Sequence, residues 1–458
     1  MGVGGAGMEP LAELMLRGGL RVSGCDQKVR PGLERLTSIG LVMSEGHGPE
    51  HLEEAAVLVI TSAVPPDHPE VLAARERGIP VFKRAEALGA MVNRGRLVAV
   101  AGTHGKTTTT ALTTHVLAGA GLDPTGLVGG EVLGWNGNLR LGSSDLFVVE
   151  ADEYDRSFHT LTPDVAVVTN VEADHLDIYG DMDGVMQSFV QFVDGIRPGG
   201  SLWICGDDGG AARLATSLGG RTRTYGLAAG CQLRATDLSW SEAGNRFRVW
   251  EDGQAAGEMV MRQPGRHNVR NALAAVGVAR TLGAAWPAIA DALADFPGVG
   301  RRYQVLGSVA GVTVIDDYAH HPTEISATLQ AVRGAHGRQR IVAVFQPHLF
   351  SRTRDFAGQF GEALGHADAV WVTDVYPARE APIPGVDGRL VADAVTETAR
   401  VVQYHPDLET LAEAVAHNLV AGDVCVTMGA GSVETVGPAL VSLLRERAPV
   451  EGGARAPA

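Results

Sequence analysis

Short β-rich apolar runs alternate with helix-length stretches along nearly all of this chain. Few architectures accommodate that rhythm: it is the pattern of βαβ units and mostly parallel sheets. In the first section Leu20 to Gly24, Val57 to Ser62 and Ile79 to Phe82 read as strands, with helices over Glu9 to Leu16 and Pro69 to Arg77. The pattern pauses near Gly89 to Arg96, which places a boundary there. A second section opens with the strand Leu97 to Ala101 and continues through Leu146 to Glu150, Val165 to Thr169 and Leu202 to Cys205. From Gly230 to Met261, alternation such as Arg246-Phe247-Arg248-Val249-Trp250 predicts antiparallel strands with one wet face; an Ala-rich helix over Asn268 to Leu282 follows. Phe296 to Gly300 makes a second, hinge-like break. Beyond it the alternation resumes, with strands at Val312 to Asp316, Ile341 to Gln346, Ala369 to Asp374 and Val424 to Met428. The Gly/Ala/Pro-rich tail Pro449 to Ala458 is expected to fray. The reading is three α/β domains, 1–92, 93–298 and 299–458, and 458 residues at ~150 per domain suggest the same number.

The formal charge of −15 argues against a nucleic-acid partner, since duplex affinity rests on cationic contacts with phosphates. No run approaches the ~20 apolar residues of a membrane span. Met1-Gly2-Val3-Gly4-Gly5 lacks the basic-then-apolar layout of a signal peptide. Cys25, Cys205, Cys231 and Cys425 stand far apart with no CxxC pair, which suits thiols in a reducing cytoplasm better than disulfides or a zinc site. Only three basic residues are lysines, Lys28, Lys83 and Lys106, so each invites a reason.

Lys106 has one. Ala99 to Thr110 runs from a strand through Gly102-Thr103-His104-Gly105 into a helix beginning Lys106-Thr107-Thr108. Exposed amides and the positive end of that helix suit a polyphosphate. Lys106 supplies a compact charge and the Thr107 hydroxyl suits Mg²⁺. The Gly-x-x-Gly-Lys-Thr spacing is two residues shorter than the general phosphate loop. A glycine turn capping a helix, with Lys106 on the surface, is the plainer alternative. Two acidic clusters lie at the ends of following strands: Glu150-Ala151-Asp152-Glu153-Tyr154-Asp155, and Thr169-Asn170-Val171-Glu172-Ala173-Asp174-His175-Leu176-Asp177. Strand carboxyl ends beside such a loop form the ligand crevice of an open α/β sheet. Mg²⁺ needs only a few protein oxygens; solvated acidic turns are the rival reading.

At these residues the chain resembles the Mur ligases, ATP-dependent amide-forming enzymes of peptidoglycan synthesis, and it does so in order along nearly its whole length. The resemblance implies a Rossmann-like first domain, a central P-loop-type ATPase domain with a mostly parallel sheet, and a Rossmann-like C-terminal domain. It implies that Gly102, Thr103, His104, Gly105, Lys106, Thr107 and Thr108 bind ATP, and that Thr107, Glu150 and His175 hold Mg²⁺. Asn268 and Asn271 resemble the asparagines that approach adenine, although three apart at a helix start they are equally able to cap it. Gly300-Arg301-Arg302-Tyr303 and Asp316-Asp317-Tyr318-Ala319-His320-His321-Pro322 match later motifs, which would set Arg302 at the γ-phosphate and Asp317 at the ribose. His320 or His321 would serve the substrate side or simply make a turn. Gly4, Gly5, Ala6, Gly7 and Met8, with Asp26 and His47, would bind UDP; taken alone, Asp26 after its strand would read as an NAD site. His348, Arg352 and Arg354 would meet the amino acid, either arginine being able to hold its carboxylate by a two-pronged bond.

Within the family, Ser62-Ala63-Val64-Pro65, Arg84-Ala85-Glu86, Phe345-Gln346-Pro347-His348 and Asp374-Val375-Tyr376-Pro377-Ala378 resemble the members that join L-alanine to UDP-N-acetylmuramate. The resemblance therefore implies three small-molecule substrates: ATP, L-alanine and UDP-N-acetylmuramate. It implies a cytoplasmic monomer or homodimer serving cell-wall biogenesis, cell shape, the cell cycle and division. The chain departs from the family pattern in three places. The first glycine motif begins at residue 2 with no strand before it, so an unpaired sheet position is expected to weaken UDP binding. No lysine follows Lys106, so the carbamylated lysine of several Mur ligases is impossible; Val190 and its neighbours occupy that region. Leu349 and Phe350 follow His348 where an arginine is expected. The rival readings are a nucleotide-dependent kinase or transporter ATPase, a non-catalytic UDP-sugar-binding regulator, and a folate polyglutamate ligase.

Overall fold

Strands that are apolar almost without interruption need both faces covered, and that is how the runs around the glycine loop are used. The computed structural model describes the chain apart from residues 29–32, 136, 219–221, 242–243, 379, 396–400 and 448–458, with only the backbone of Asp177. The tail expected to fray lies outside the described residues. The chain forms two compact units: Met1–Asp237 with Phe247–Val260 and Arg270–Pro297, and Leu238–Arg246 with Met261–Val269 and Gly298–Ala458. Residues 89–96, where the pattern pauses, hold the end of the Arg84–Val92 helix and the start of the Arg96–Ala101 strand.

In the first unit Ser23–Asp26 pairs in parallel with Val42–Glu45, and Leu58–Ile60 with Val81–Lys83. The strand expected over Leu20 to Gly24 is displaced to Ser23–Asp26. The helix Met8–Arg17 overruns: Leu20 N donates to Met15 O at 3.0 Å, with Gly19 turning at φ +81°. Asp26 therefore ends its strand instead of following it. The first three residues contact both strand pairs, Met1 N donating to Val59 O (2.8 Å) and Gly2 N and Val3 N to Cys25 O (2.8 and 3.2 Å). The sheet position expected to stand unpaired is thus bonded on both flanks.

A ten-stranded sheet follows, with Ser201–Cys205, Val165–Val168, Arg96–Ala101, Leu146–Glu150 and Thr125–Leu127 consecutive neighbours, all parallel. Val98, Val100, Val148, Val167 and Val168 are completely buried. Thr222–Gly226 and three long strands, Leu233–Ser241, Gly244–Glu251 and Gln254–Met261, extend one edge. The last two form an antiparallel hairpin through Asp252-Gly253, both at positive φ (48° and 79°), the turn whose twist matches paired strands. Beneath the sheet Phe158 packs on Phe189 and Phe192, ring centroids 5.3 and 5.0 Å away.

The second unit holds a six-stranded sheet in the order Gln304–Val309, Val312–Asp317, Val424–Met428, Ile341–Phe345, Ala369–Val372, Val401–Tyr404. Only the first strand is antiparallel. Helices such as Pro322–His336 and Phe350–Leu364 supply apolar faces to its core. Among the described residues no helix is long and apolar enough to cross a membrane, and all four cysteines are free thiols.

Candidate active site

The Arg96–Ala101 strand lies between Val165–Val168 and Leu146–Glu150, so the loop that leaves it opens where neighbouring strands also end. Gly102 is obligatory there: its φ is +134°, and a Cβ would fall 1.9 Å from Thr169 Oγ1. Gly105, at φ +81°, turns the chain into the helix Lys106–Gly119, and the Asn271 carboxamide approaches within 2.9 Å of where its Cβ would be. Asn170 braces the loop, accepting from His104 N (2.8 Å) and donating to His104 O (2.9 Å). Thr103 Oγ1 accepts from Glu172 N at 2.9 Å, tying the loop to the second acidic cluster.

Lys106 Nζ donates to Gly102 O (2.8 Å), Thr103 O (3.3 Å) and Glu153 Oε2 (2.6 Å). Burial opposes its charge, but Glu153, Asp152 and Glu150 outweigh it and raise the pKa above the ordinary lysine value. Lys106 is therefore an aimed, permanently charged ammonium and not a surface lysine. Burial pushes the Glu153 carboxyl up to about 7, against the pull of Lys106. Glu150 is pinned by Thr107 Oγ1 (3.0 Å) and Gly129 N (2.8 Å), and burial raises its pKa too. A buried carboxylate and a threonine hydroxyl at a helix start are hard oxygen donors of the kind a magnesium ion takes. His175 sits at φ 52° before the Leu176–Tyr179 helix, and its side chain does not cap that helix. Its ring meets Tyr154 edge-on at 5.1 Å, four residues beyond Glu150.

The glycine turn in front of the Met8–Arg17 helix is closed by Asp26, whose Oδ2 accepts from Gly4 N at 3.0 Å. Gly7 is flanked by Arg84, whose Nε lies 3.1 Å from a virtual Cβ, and Asn138 Nδ2 donates to Ala6 O at 2.7 Å. His47 Nδ1 lies 3.2 Å from Cys25 Sγ.

In the second unit the singled-out residues gather at the carboxyl ends of the central strands. Asp317 accepts from Tyr303 N and Ala319 N, both at 2.8 Å; burial pushes its carboxyl up to about 6, against Arg302. Arg302 lies over the Tyr318 ring (5.0 Å) and 3.7 Å from Glu324. His320 Nδ1 lies 3.0 Å from Tyr318 O and 3.2 Å from Glu324 Oε2, and burial lowers its pKa to about 4. His321 instead caps the Pro322–His336 helix, accepting from Thr323 N at 3.4 Å. His348 stacks on Tyr376 and lies 5.8 Å from His320. Arg352 is buried and its charge is felt at His320, whereas Arg354 is exposed and paired with its neighbour Asp355. Asn268 makes a local bond to Pro264 O at 2.8 Å.

Sequence reasoning did not name Gly129 and gave Asn170 and Glu153, both quoted within the acidic clusters, no task of their own. Asn170 alone carried a signal, standing directly after a strand that borders the loop.

Three family models cover the chain: Mur ligase family, catalytic domain, over residues 1–96; Mur ligase middle domain, over 100–279; and Mur ligase, glutamate ligase domain, over 301–431. The UDP-N-acetylmuramate–L-alanine ligase of Kineococcus radiotolerans is 48% identical over 98% of this chain and 96% of its own. That of Rubrobacter xylanophilus is 46% identical over 97% and 99%. The crystal structure of the UDP-N-acetylmuramate-alanine ligase from Thermotoga maritima superposes with a TM-score of 0.83 at 28% identity, covering 97% of this chain and 98% of that one.

Proposed function

We infer that this chain, which belongs to the Mur ligase family, joins L-alanine to the lactyl carboxylate of UDP-N-acetylmuramate at the expense of ATP, in peptidoglycan precursor synthesis. The observation that carries the ATP half is the buried ammonium of Lys106 in a glycine loop, with Thr107 bonded to Glu150 beside it. Donor and acceptor follow from the relatives, which carry that activity in their names over almost the full length of this chain. The compartment consistent with this chemistry is the cytoplasm.

A carboxylate does not condense with an amine in water unless it is activated. The lactyl carboxylate attacks the γ-phosphorus of ATP and ADP leaves. The amine of L-alanine then attacks the acyl phosphate, phosphate leaves, and the nitrogen gives up a proton. Phosphoryl transfer depends on positioning and charge neutralisation. Lys106 and the first amides of its helix, those of Lys106 to Thr108, supply both to the phosphates, and Arg302 is assigned to the γ-phosphate. Thr107 and Glu150 offer hard oxygens that fit Mg²⁺, and His175 is assigned to the same ion, which when bound would neutralise charge on the transferring oxygens. Asn271, already against Gly105, is the better placed of the two asparagines to serve the nucleotide, and Asp317 is assigned to its ribose.

Gly4 to Met8, Asp26 and His47 are assigned to the UDP end, within a first domain taken as 1–92, ahead of 93–298 and 299–458. Of the two histidines, His320 suits proton removal. With Nδ1–H directed at Tyr318 O, its Nε2 is the accepting nitrogen, and burial keeps the ring neutral at pH 7. Arg352, buried near it, is the stronger choice for the alanine carboxylate. The decisive experiment gives the purified protein ATP, Mg²⁺, UDP-N-acetylmuramate and each amino acid in turn, and weighs the product. An alanine-dependent amide with one ADP and one phosphate is expected; ADP without amide, or a different preferred amino acid, overturns the reading.

A further inference from the structure

A second cluster of reactive side chains stands apart from the phosphate loop. Cys25 lies on the Ser23–Asp26 strand, His47 just beyond Val42–Glu45, His51 on the short helix Pro49–Leu52, and Glu70 in the first turn of Pro69–Glu76. Glu70 is only 1% exposed, yet among the described residues no lysine or arginine pairs with it. Around it stand three soft or borderline donors. Cys25 Sγ is 3.6 and 3.7 Å from its two oxygens, His47 Nδ1 is 3.9 Å from one, and His51 Nδ1 is 4.0 Å from the other. His47 Nδ1 also lies 3.2 Å from Cys25 Sγ. The Cys25, His51 and Glu70 ligand atoms all fall within 4.8 Å of one another, and His51 Nδ1 is buried with no hydrogen-bond partner.

Several of these separations are too long for good hydrogen bonds and come close to the spacing of ligands about a common cation, with His51 Nδ1 and His47 Nδ1 approaching opposite oxygens of Glu70. Zinc bonds of ~2.0 to ~2.3 Å in a tetrahedron hold their donor atoms ~3.3 to ~3.8 Å apart. A thiolate, two imidazoles and a carboxylate select a borderline transition metal over Mg²⁺ or Ca²⁺.

We propose that Cys25, His51 and Glu70, with His47 Nδ1 as the fourth donor, form a Zn²⁺ site that fastens one strand and two helices at the start of the chain. The apolar cluster there is small, comprising Met1, Cys25, Leu52, Leu58, Ile60, Val71 and Ala74. Its strands pair only two by two, and such a core gains most from a metal staple. Binding takes the proton from the Cys25 thiol and releases it to solvent. His47 keeps Nε2 for the nucleotide, so the staple also fixes the ring assigned to UDP.

The test titrates the metal-free, full-length protein with Co²⁺ and then Zn²⁺. One Co²⁺ per chain is expected to give a thiolate-to-cobalt charge-transfer band with tetrahedral d–d bands, lost on adding Zn²⁺. Cys25→Ser, close in shape, should abolish the band while circular dichroism stays native. Glu70→Gln and His51→Ala should weaken Co²⁺ affinity by ~10-fold or more. Zn²⁺ should raise the Tm of the parent and not of Cys25→Ser. An ion at the Thr107–Glu150 site gives no thiolate band, so the two sites cannot be confused. No thiolate–cobalt band in the folded parent, or one that survives Cys25→Ser, overturns the proposal.

Discussion

Replacing Lys106 by methionine removes the ammonium and leaves the methylene stem. In the folded protein that ammonium is the cation hydrogen-bonded to Glu153, which is 3% exposed. Removing one partner of a buried pair typically costs ~3–5 kcal/mol, because the other charge is left uncompensated. Here Glu153 has an escape: its carboxyl is already pushed up to about 7 with the ammonium present, so without it the group takes up a proton. The cost should therefore sit at the lower end, ~3 kcal/mol near pH 8, and shrink toward pH 6. The sign follows from linkage: a carboxyl whose folded pKa exceeds its unfolded one favours the native state at low pH, and that advantage is lost as pH rises through the folded value. Adding Glu153→Gln removes the stranded carboxylate and should restore most of the stability. Turnover should behave differently. Loss of one preorganised donor to a developing oxyanion costs ~10²–10³-fold, and the double variant has nothing to replace it. Urea unfolding at pH 6 and pH 8, with alanine-dependent phosphate release, separates the two effects. A single variant of near-parental turnover, or a double variant that regains activity with its stability, would refute the catalytic reading of Lys106.

Three further outcomes are expected. Gly102→Ala places a methyl 1.9 Å from Thr169 Oγ1 at φ +134° and should abolish ATP binding in equilibrium dialysis; Gly209→Ala, with open space around it, should raise stability by ~0.5–1 kcal/mol. His320, lowered to about 4 by burial, makes the native state bind fewer protons than the unfolded chain. Its own contribution, read as the stability difference between parent and His320→Gln in urea titrations, should fall by ~2 kcal/mol from pH 7 to pH 5, opposite in sign to that of Glu153 and Asp317. Arg352→Lys should raise the KM for L-alanine ~10-fold or more with a smaller change in kcat, and Arg354→Ala should do less; the reverse order would hand the carboxylate to Arg354.

The α/β alternation and the phosphate loop were legible because both are local: a period, and a glycine turn with a lysine and threonine at fixed offsets. What escaped depends on contacts between distant residues. Glu153 gains its task only by meeting a lysine 47 positions earlier. Nothing in Ser351-Arg352-Thr353-Arg354 says which arginine faces inward, because both lie near the start of one helix and burial is decided by what packs on it. The strand near Leu20 was misplaced because Gly18-Gly19 lets the helix run on before the chain extends. Cys25, His51 and Glu70 have no metal-binding spacing, so four scattered cysteines read only as buried thiols.

The scarcity of lysine has a practical side. Of the three ε-amines, that of Lys106 is enclosed by the loop and Glu153, Lys83 is half-exposed and engaged with Asp155 at 2.7 Å, and Lys28 is exposed. An acylating label, a cross-linker or an activated chip surface therefore meets a protein with almost one handle. Immobilisation through amines becomes nearly oriented, and modification of the deepest amine, slowed when a triphosphate is present, becomes a chemical gauge of nucleotide occupancy.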